Sequence, residues 1–132
     1  MTPLPPHTKL RLALRVWQTY LRVRRGLRRS DLPTAVARLG ATQRASERRY
    51  PPARLSRAVD RALALLPGDP TCLVRSLVLF RLLREQGDEA EVVIGLPERP
   101  TNQEAHAWVE LDGHDVGPPP GRSGHSQLVR YA

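Results

Sequence analysis

Residues 71–87 constrain the fold of this chain more than any other stretch, because they predict a helix that has to be buried. Thr71 and Cys72 follow a Gly-Asp-Pro turn, and Gly87 is the residue type that often ends a helix in the left-handed conformation. The apolar positions between these ends include Leu73, Val74, Leu77, Val78, Phe80, Leu82 and Leu83. A helix that is apolar on several sides needs cover on several sides. We therefore predict a central helix with the thiol of Cys72 at its N-terminal end.

The other elements put helices first and strands second. Helices are predicted over 8–28, from an N-cap at Ser30 or Asp31 to Gly40, and over 52–66; strands are predicted over 90–96, 105–111, 114–117 and 126–131. The first helix has two sets of apolar positions. Those near helical spacing are Leu10, Leu14, Trp17 and Leu21, followed by Arg25, and those that broaden the apolar face are Leu12, Val16, Tyr20, Val23 and Leu27. This order favours an α+β fold with helices packed on a small antiparallel sheet. At 132 residues we expect one domain, with a basic helical region at 1–50 and a core at 53–132.

Composition narrows the function classes. The net charge is +8, and arginines crowd the end of the first helix at positions 22, 24, 25, 28 and 29. This density permits contacts with nucleic acid, anionic lipid or acidic peptide, although a solvated helix face in an arginine-rich protein explains it equally. The single cysteine excludes an internal disulfide. Without a signal peptide or a membrane span in the sequence we expect a cytoplasmic protein, and no residue pattern indicates a metal site or a cofactor.

Cys72 and His106 are the candidate reactive residues. The unpaired N–H groups of a helix N-terminus favour a thiolate, and an imidazole on a neighbouring strand can take the proton from a thiol and return it to a leaving group. The Cys72 backbone N–H is a candidate oxyanion donor. Trp108 lies on the His106 face of the strand, as a neighbour of the substrate site or as ordinary packing. The alternative for Cys72 is a small apolar residue that only fills the core.

Asp115 is the candidate third member of a catalytic triad. A two-residue turn at Asp112-Gly113 predicts four cross-strand pairs: Leu111 with His114, Glu110 with Asp115, Trp108 with Gly117 and His106 with Pro119. Asp115 then shares the face of His106 but lies four residues along the strand, roughly 13 Å away at about 3.3 Å per residue. A regular hairpin therefore predicts a Cys–His dyad, and a bulge would be needed to bring the carboxylate closer.

Four segments carry a resemblance to a known family: 72–79 (CLVRSLVL), 82–87 (LLREQG), 93–96 (VIGL) and 105–113 (AHAWVELDG). Over about residues 53–116 the chain resembles the leader peptidases of bacterial lasso-peptide biosynthesis, which are transglutaminase-like cysteine proteases. The resemblance implies a papain-like fold, Cys72 as nucleophile and His106 as general base. It also implies three partners: a precursor leader peptide, a separate small leader-recognition protein and an ATP-dependent lasso cyclase.

The resemblance also marks a departure. The acid of that family would fall near Pro118, where this chain has no carboxylate, which leaves Asp115 as a displaced candidate. Two other functions stay open: a catalytically idle scaffold or peptide-binding subunit with the same fold, and a basic nucleic-acid-binding protein. We expect neither a nucleic-acid partner nor a membrane span.

Overall fold

The computed structural model describes residues 5–41, 50–68, 71–97, 106–117 and 125–131. Four helices precede four strands: α1 (Pro6–Arg29), α2 (Leu32–Gly40), α3 (Pro52–Ala64), α4 (Cys72–Glu85), β1 (Glu91–Pro97), β2 (His106–Leu111), β3 (His114–Gly117) and β4 (His125–Tyr131). The strands form one antiparallel sheet in the order β3-β2-β1-β4. The predicted α+β architecture is confirmed.

Local signals explain where the helices begin and end. The Asp31 carboxylate accepts the Thr34 N–H at 3.0 Å and caps α2. The Thr71 hydroxyl accepts the Val74 N–H at 3.3 Å and caps α4 directly before Cys72. After α4, Gly87 adopts a φ of 98°, the left-handed conformation expected of a helix-ending glycine.

Helix α4 forms the centre of the core, as its sequence predicts. It contacts α1, α2 and α3 as well as β1 and β2. Its side chains from position 76 to 80 are all buried, and so are Leu82 and Leu83. Because the helix is packed on several sides, its N-terminus and the Cys72 backbone are fixed relative to the sheet.

Helix α1 buries one part of the broad apolar face predicted for it. Its buried residues are Leu12, Val16 and Val23, together with Thr19. Leucines 10, 14 and 21 are exposed. The Trp17 indole N–H donates to the Ala62 carbonyl of α3 at 2.8 Å, so this side chain packs within the protein. The outward face of α1 therefore combines leucines with arginines.

The hairpin between β2 and β3 follows the predicted register only near its turn. Asp112 and Gly113 have φ values of 53° and 79°, as a two-residue turn of this kind requires. The pairs of Leu111 with His114 and of Glu110 with Asp115 are confirmed.

The third predicted pair, Trp108 with Gly117, is wrong, because Gly117 pairs with Val109 across a bulge. Gly117 has a φ of 128°, and a Cβ there would lie 2.5 Å from the Ser56 hydroxyl of α3. Close approach of α3 therefore accounts for a glycine at this irregular position. The predicted partner of His106, Pro119, lies outside the described residues.

Candidate active site

Cys72 is the first residue of α4, and its side chain is partly buried. The first N–H groups of an α-helix have no acceptor within the helix, so they are available to a negative charge placed at that end. The capping hydroxyl of Thr71 satisfies the N–H of Val74, two residues further on than Cys72. The thiol therefore lies where the helix end presents donors.

A hydrogen bond joins this thiol to the strand that carries the histidine. The Ala107 backbone N–H donates to Cys72 Sγ over 3.4 Å, although the two residues lie 35 positions apart. The sulfur thus lies against the start of β2, at the residue next to His106. The two predicted reactive residues are brought to the same end of the sheet.

His106 is the first residue of β2 and is partly buried. It belongs to a polar face of that strand, since positions 106, 108 and 110 point to the same side. The rings of His106 and Trp108 are stacked, with 6.2 Å between their centroids and 24° between their planes. Trp108 is only 1% exposed, so it shields one side of the imidazole from water.

Next to Trp108 on the same face of β2 lies the buried carboxylate of Glu110, which the sequence analysis did not identify as part of the site. The Trp108 indole N–H donates to Glu110 Oε2 at 2.8 Å, and the Arg130 guanidinium of β4 donates to Glu110 Oε1 at 3.0 Å. Arg130 also donates to Glu91 at 3.1 Å. Burial opposes the charge of Arg130, but the hydrogen bonds to Glu110 and Glu91 outweigh it and raise the pKa of Arg130. Alternation along β2 could have pointed to Glu110, whereas Arg130 could be found only with the pairing of β4 known.

Asp115 lies opposite Glu110 and is exposed. Its carboxylate accepts the Gly117 N–H at 2.9 Å, within its own strand. Glu110 is four residues along β2 from His106, so the bulge does not move Asp115 to the histidine end of the strand. The role of Asp115 as the third catalytic member stays a prediction.

Two clefts lie on the arginine-rich end of α1. One is lined by Leu21, Arg24, Arg25, Arg28 and Arg29. The other lies between α1, α2 and α4 and is lined by Arg22, Arg25, Gly26, Arg29, Ala35, Arg38, Leu39 and Arg81. Neither cleft includes Cys72 or His106 in its lining.

No helix among the described residues has the length and apolar character needed to cross a bilayer. In a comparison with known families, the profile described as the transglutaminase-like superfamily matches residues 13–130. That match includes α1 and α2 as well as the Cys–His region. Neither a curated protein nor a solved structure matches the chain significantly.

Proposed function

Since the chain belongs to the transglutaminase-like superfamily, we propose that it is a cysteine endopeptidase that removes the leader peptide from a lasso-peptide precursor. In this proposal the precursor is made by the ribosome and held by a separate leader-recognition protein. Cleavage releases the N-terminal amine of the core peptide, which an ATP-dependent macrocyclase then uses to close the ring. The resemblance of segments 72–87 and 105–113 to leader peptidases supports this choice of substrate.

The observation that carries the proposal is the contact between Cys72 Sγ and the Ala107 N–H at 3.4 Å. It joins a thiol at a helix end to the strand residue that follows His106. A cysteine that merely fills a core has no need of a helix N-terminus or of a histidine at the adjoining position. The partial burial of both side chains is consistent with a site that a peptide can reach.

The proposed reaction has two stages. His106 takes the Cys72 proton, the sulfur attacks the scissile carbonyl carbon, and the Cys72 backbone N–H donates to the oxyanion. The C–N bond then breaks, and the imidazolium gives its proton to the leaving amine, which is the new N-terminus of the core peptide. In the second stage His106 takes a proton from water, whose oxygen displaces the sulfur from the thioester and releases the leader as a carboxylate.

Helix α1 offers a docking surface for the proposed partners. Leucines 10, 14 and 21 are exposed on α1, and Leu21 also lines one of the arginine clefts. Apolar and arginine side chains together are typical of the central part of a protein interface. An acidic leader segment or an acidic face of the recognition protein would complement this surface. Stimulation of cleavage by the recognition protein should then weaken as salt is raised.

The test is to mix the purified chain with its precursor, with and without the recognition protein, and to weigh the products. We expect two fragments that sum to the precursor plus one water. Cys72→Ala should abolish cleavage, and His106→Ala should lower kcat by roughly 100-fold or more, the usual contribution of a general base. An intact precursor in the complete mixture, or cleavage that survives Cys72→Ala, would overturn the proposal.

The placement of Asp115 favours a second candidate function. Its carboxylate lies across from Glu110 and accepts the Gly117 N–H, as it would in a protein that needs no third catalytic member. A catalytically idle subunit would bind the leader peptide or hold the complex together through the same fold. Under this alternative the precursor stays intact in the complete mixture with wild type as with Cys72→Ala, while the leader peptide still binds to both.

A further inference from the structure

A hydrogen bond on the side away from His106 holds the indole of Trp108 in one orientation. Its ring stacks beside His106, and its N–H donates to Glu110 Oε2 at 2.8 Å. Rotation of the indole would break this hydrogen bond inside the protein, which costs free energy. The imidazole is therefore stacked on an indole ring that does not rotate freely.

The Glu110 carboxylate is itself held in place by a residue that lies two strands away in the sheet. It is 2% exposed, and Oε1 accepts from Arg130 on β4, beyond the intervening strand β1. Arg130 also donates to Glu91 and Gln127, so its guanidinium has three partners on the sheet. The guanidinium therefore fixes one oxygen of the carboxylate, and the indole N–H fixes the other.

The Glu110 carboxylate of this ion pair is buried, whereas the Arg130 side chain is 32% exposed. Removing the carboxylate from water costs free energy that a well-packed apolar side chain of the same volume would not cost. The charged pair adds directional hydrogen bonds, and each of these bonds fixes the position of the next side chain. The side chains of Arg130, Glu110 and Trp108 therefore form a chain of contacts that ends at the histidine ring.

We propose that Glu110 and Arg130 are positioning residues that act through Trp108 to hold the imidazole of His106 in its orientation towards Cys72. The inference rests on the Cys–His pair of the proposed function. Neither residue touches the reacting atoms in this scheme. Their effect is on how much of the time the imidazole is placed to exchange a proton with the thiol.

The experiment is a double-mutant cycle read by the labelling rate of Cys72, the only cysteine of the chain. Iodoacetamide labelling at pH 7 is measured by mass spectrometry for wild type, Glu110→Gln, His106→Ala and the double variant. Glu91→Gln is the matched control: it removes an Arg130 contact of 3.1 Å that does not reach Trp108. Circular dichroism and urea unfolding establish that each variant is folded.

We expect Glu110→Gln to slow labelling about tenfold, because the amide has one acceptor oxygen for the two donors Trp108 and Arg130, and small misplacements of a catalytic group have effects of this order or larger. In the His106→Ala background the same substitution should have no further effect, because the group that it positions is gone. Glu91→Gln should label like wild type. Trp108→Phe, which removes the indole N–H, should behave like Glu110→Gln and decides the question if Glu110→Gln does not fold.

Three results would overturn the inference: no slowing by Glu110→Gln, equal slowing in both backgrounds, or equal slowing by Glu91→Gln. Equal slowing in both backgrounds would mean that Glu110 acts through the fold and not through His106. If His106→Ala slows labelling and Glu110→Gln does not, the positioning role fails and the Cys–His pair stands. If His106→Ala has no effect on labelling, the pair itself fails and the positioning role with it.

Discussion

The two faces of strand β2 are both buried, but different kinds of interaction stabilise them. Val109 is fully buried and belongs to the apolar core that includes Leu77 of α4. Glu110, its neighbour on the other face, is 2% exposed, yet it is charged and bonded to Trp108 and Arg130. Burial is therefore nearly equal on the two faces, and the difference lies in the partners. One face needs only apolar neighbours, whereas the other depends on specific donors from its own strand and from β4.

The largest expected effect comes from placing a carboxylate on the apolar face. Val109→Glu buries a charge among apolar side chains of the core, and we expect a loss of about 3–5 kcal/mol, comparable with leaving a buried charge without its partner. Urea unfolding followed by circular dichroism measures the change. Val109→Ile, which keeps the face apolar, is the control. A Val109→Glu variant as stable as this control would show that the two faces do not differ in the way described.

A smaller effect is expected from breaking the ion pair on the polar face. Arg130→Met removes one partner of the buried Glu110 carboxylate and should cost about 1–3 kcal/mol in the free energy of unfolding. Adding Glu110→Gln to that variant should recover part of the loss, because a neutral amide can still accept the indole N–H and no buried charge is left. Urea midpoints of both variants test this. A double variant less stable than Arg130→Met alone would contradict it.

The smallest expected effect involves Asp60, a carboxylate of α3. Burial raises the pKa of Asp60 above its usual value, with the charge of Arg75 acting in the opposite direction. The folded chain therefore holds this proton more tightly than the unfolded chain, and the stability that it contributes is lost as pH rises through the raised pKa. Asp60→Asn should thus be more favourable relative to wild type at pH 7 than at pH 3. Thermal unfolding at the two pH values measures this, and the opposite trend would contradict it.

Most of the fold could be predicted because its signals are local. The Thr71 cap, the left-handed Gly87 and the positive φ values at Asp112 and Gly113 all depend on neighbouring residues in the chain. The hairpin register could be predicted for the two pairs next to the turn. It shifted at Gly117 because helix α3 approaches there, with the Ser56 hydroxyl at a place where a Cβ could not fit. A contact between distant segments of this kind leaves no pattern in the sequence.

The candidate site was predictable to the same extent. The thiol at a helix start and the histidine at a strand start are local features, and the structure joins them through Cys72 and Ala107. Glu110 and Arg130 were missed because a carboxylate in a strand normally indicates a solvent-facing position. Only the pairing of β4 with β1 shows that a guanidinium reaches it. In α1 the spacing of leucines could not decide which stripe is buried, since leucines lie on more than one side of the helix.

The most direct test of the central claim compares the NMR signals of the His106 ring in wild type and in Cys72→Ala under identical conditions. If thiol and imidazole lie together, the thiol is part of the surroundings of the ring, and the His106 ring signals shift when the thiol is removed. His114, the residue of β3 that pairs with Leu111 at the other end of β2, is the internal control, and its ring signals should be the same in both proteins. Shifted His106 signals beside unchanged His114 signals are the result predicted here. Superimposable His106 signals would contradict the Cys–His pair and the function built on it.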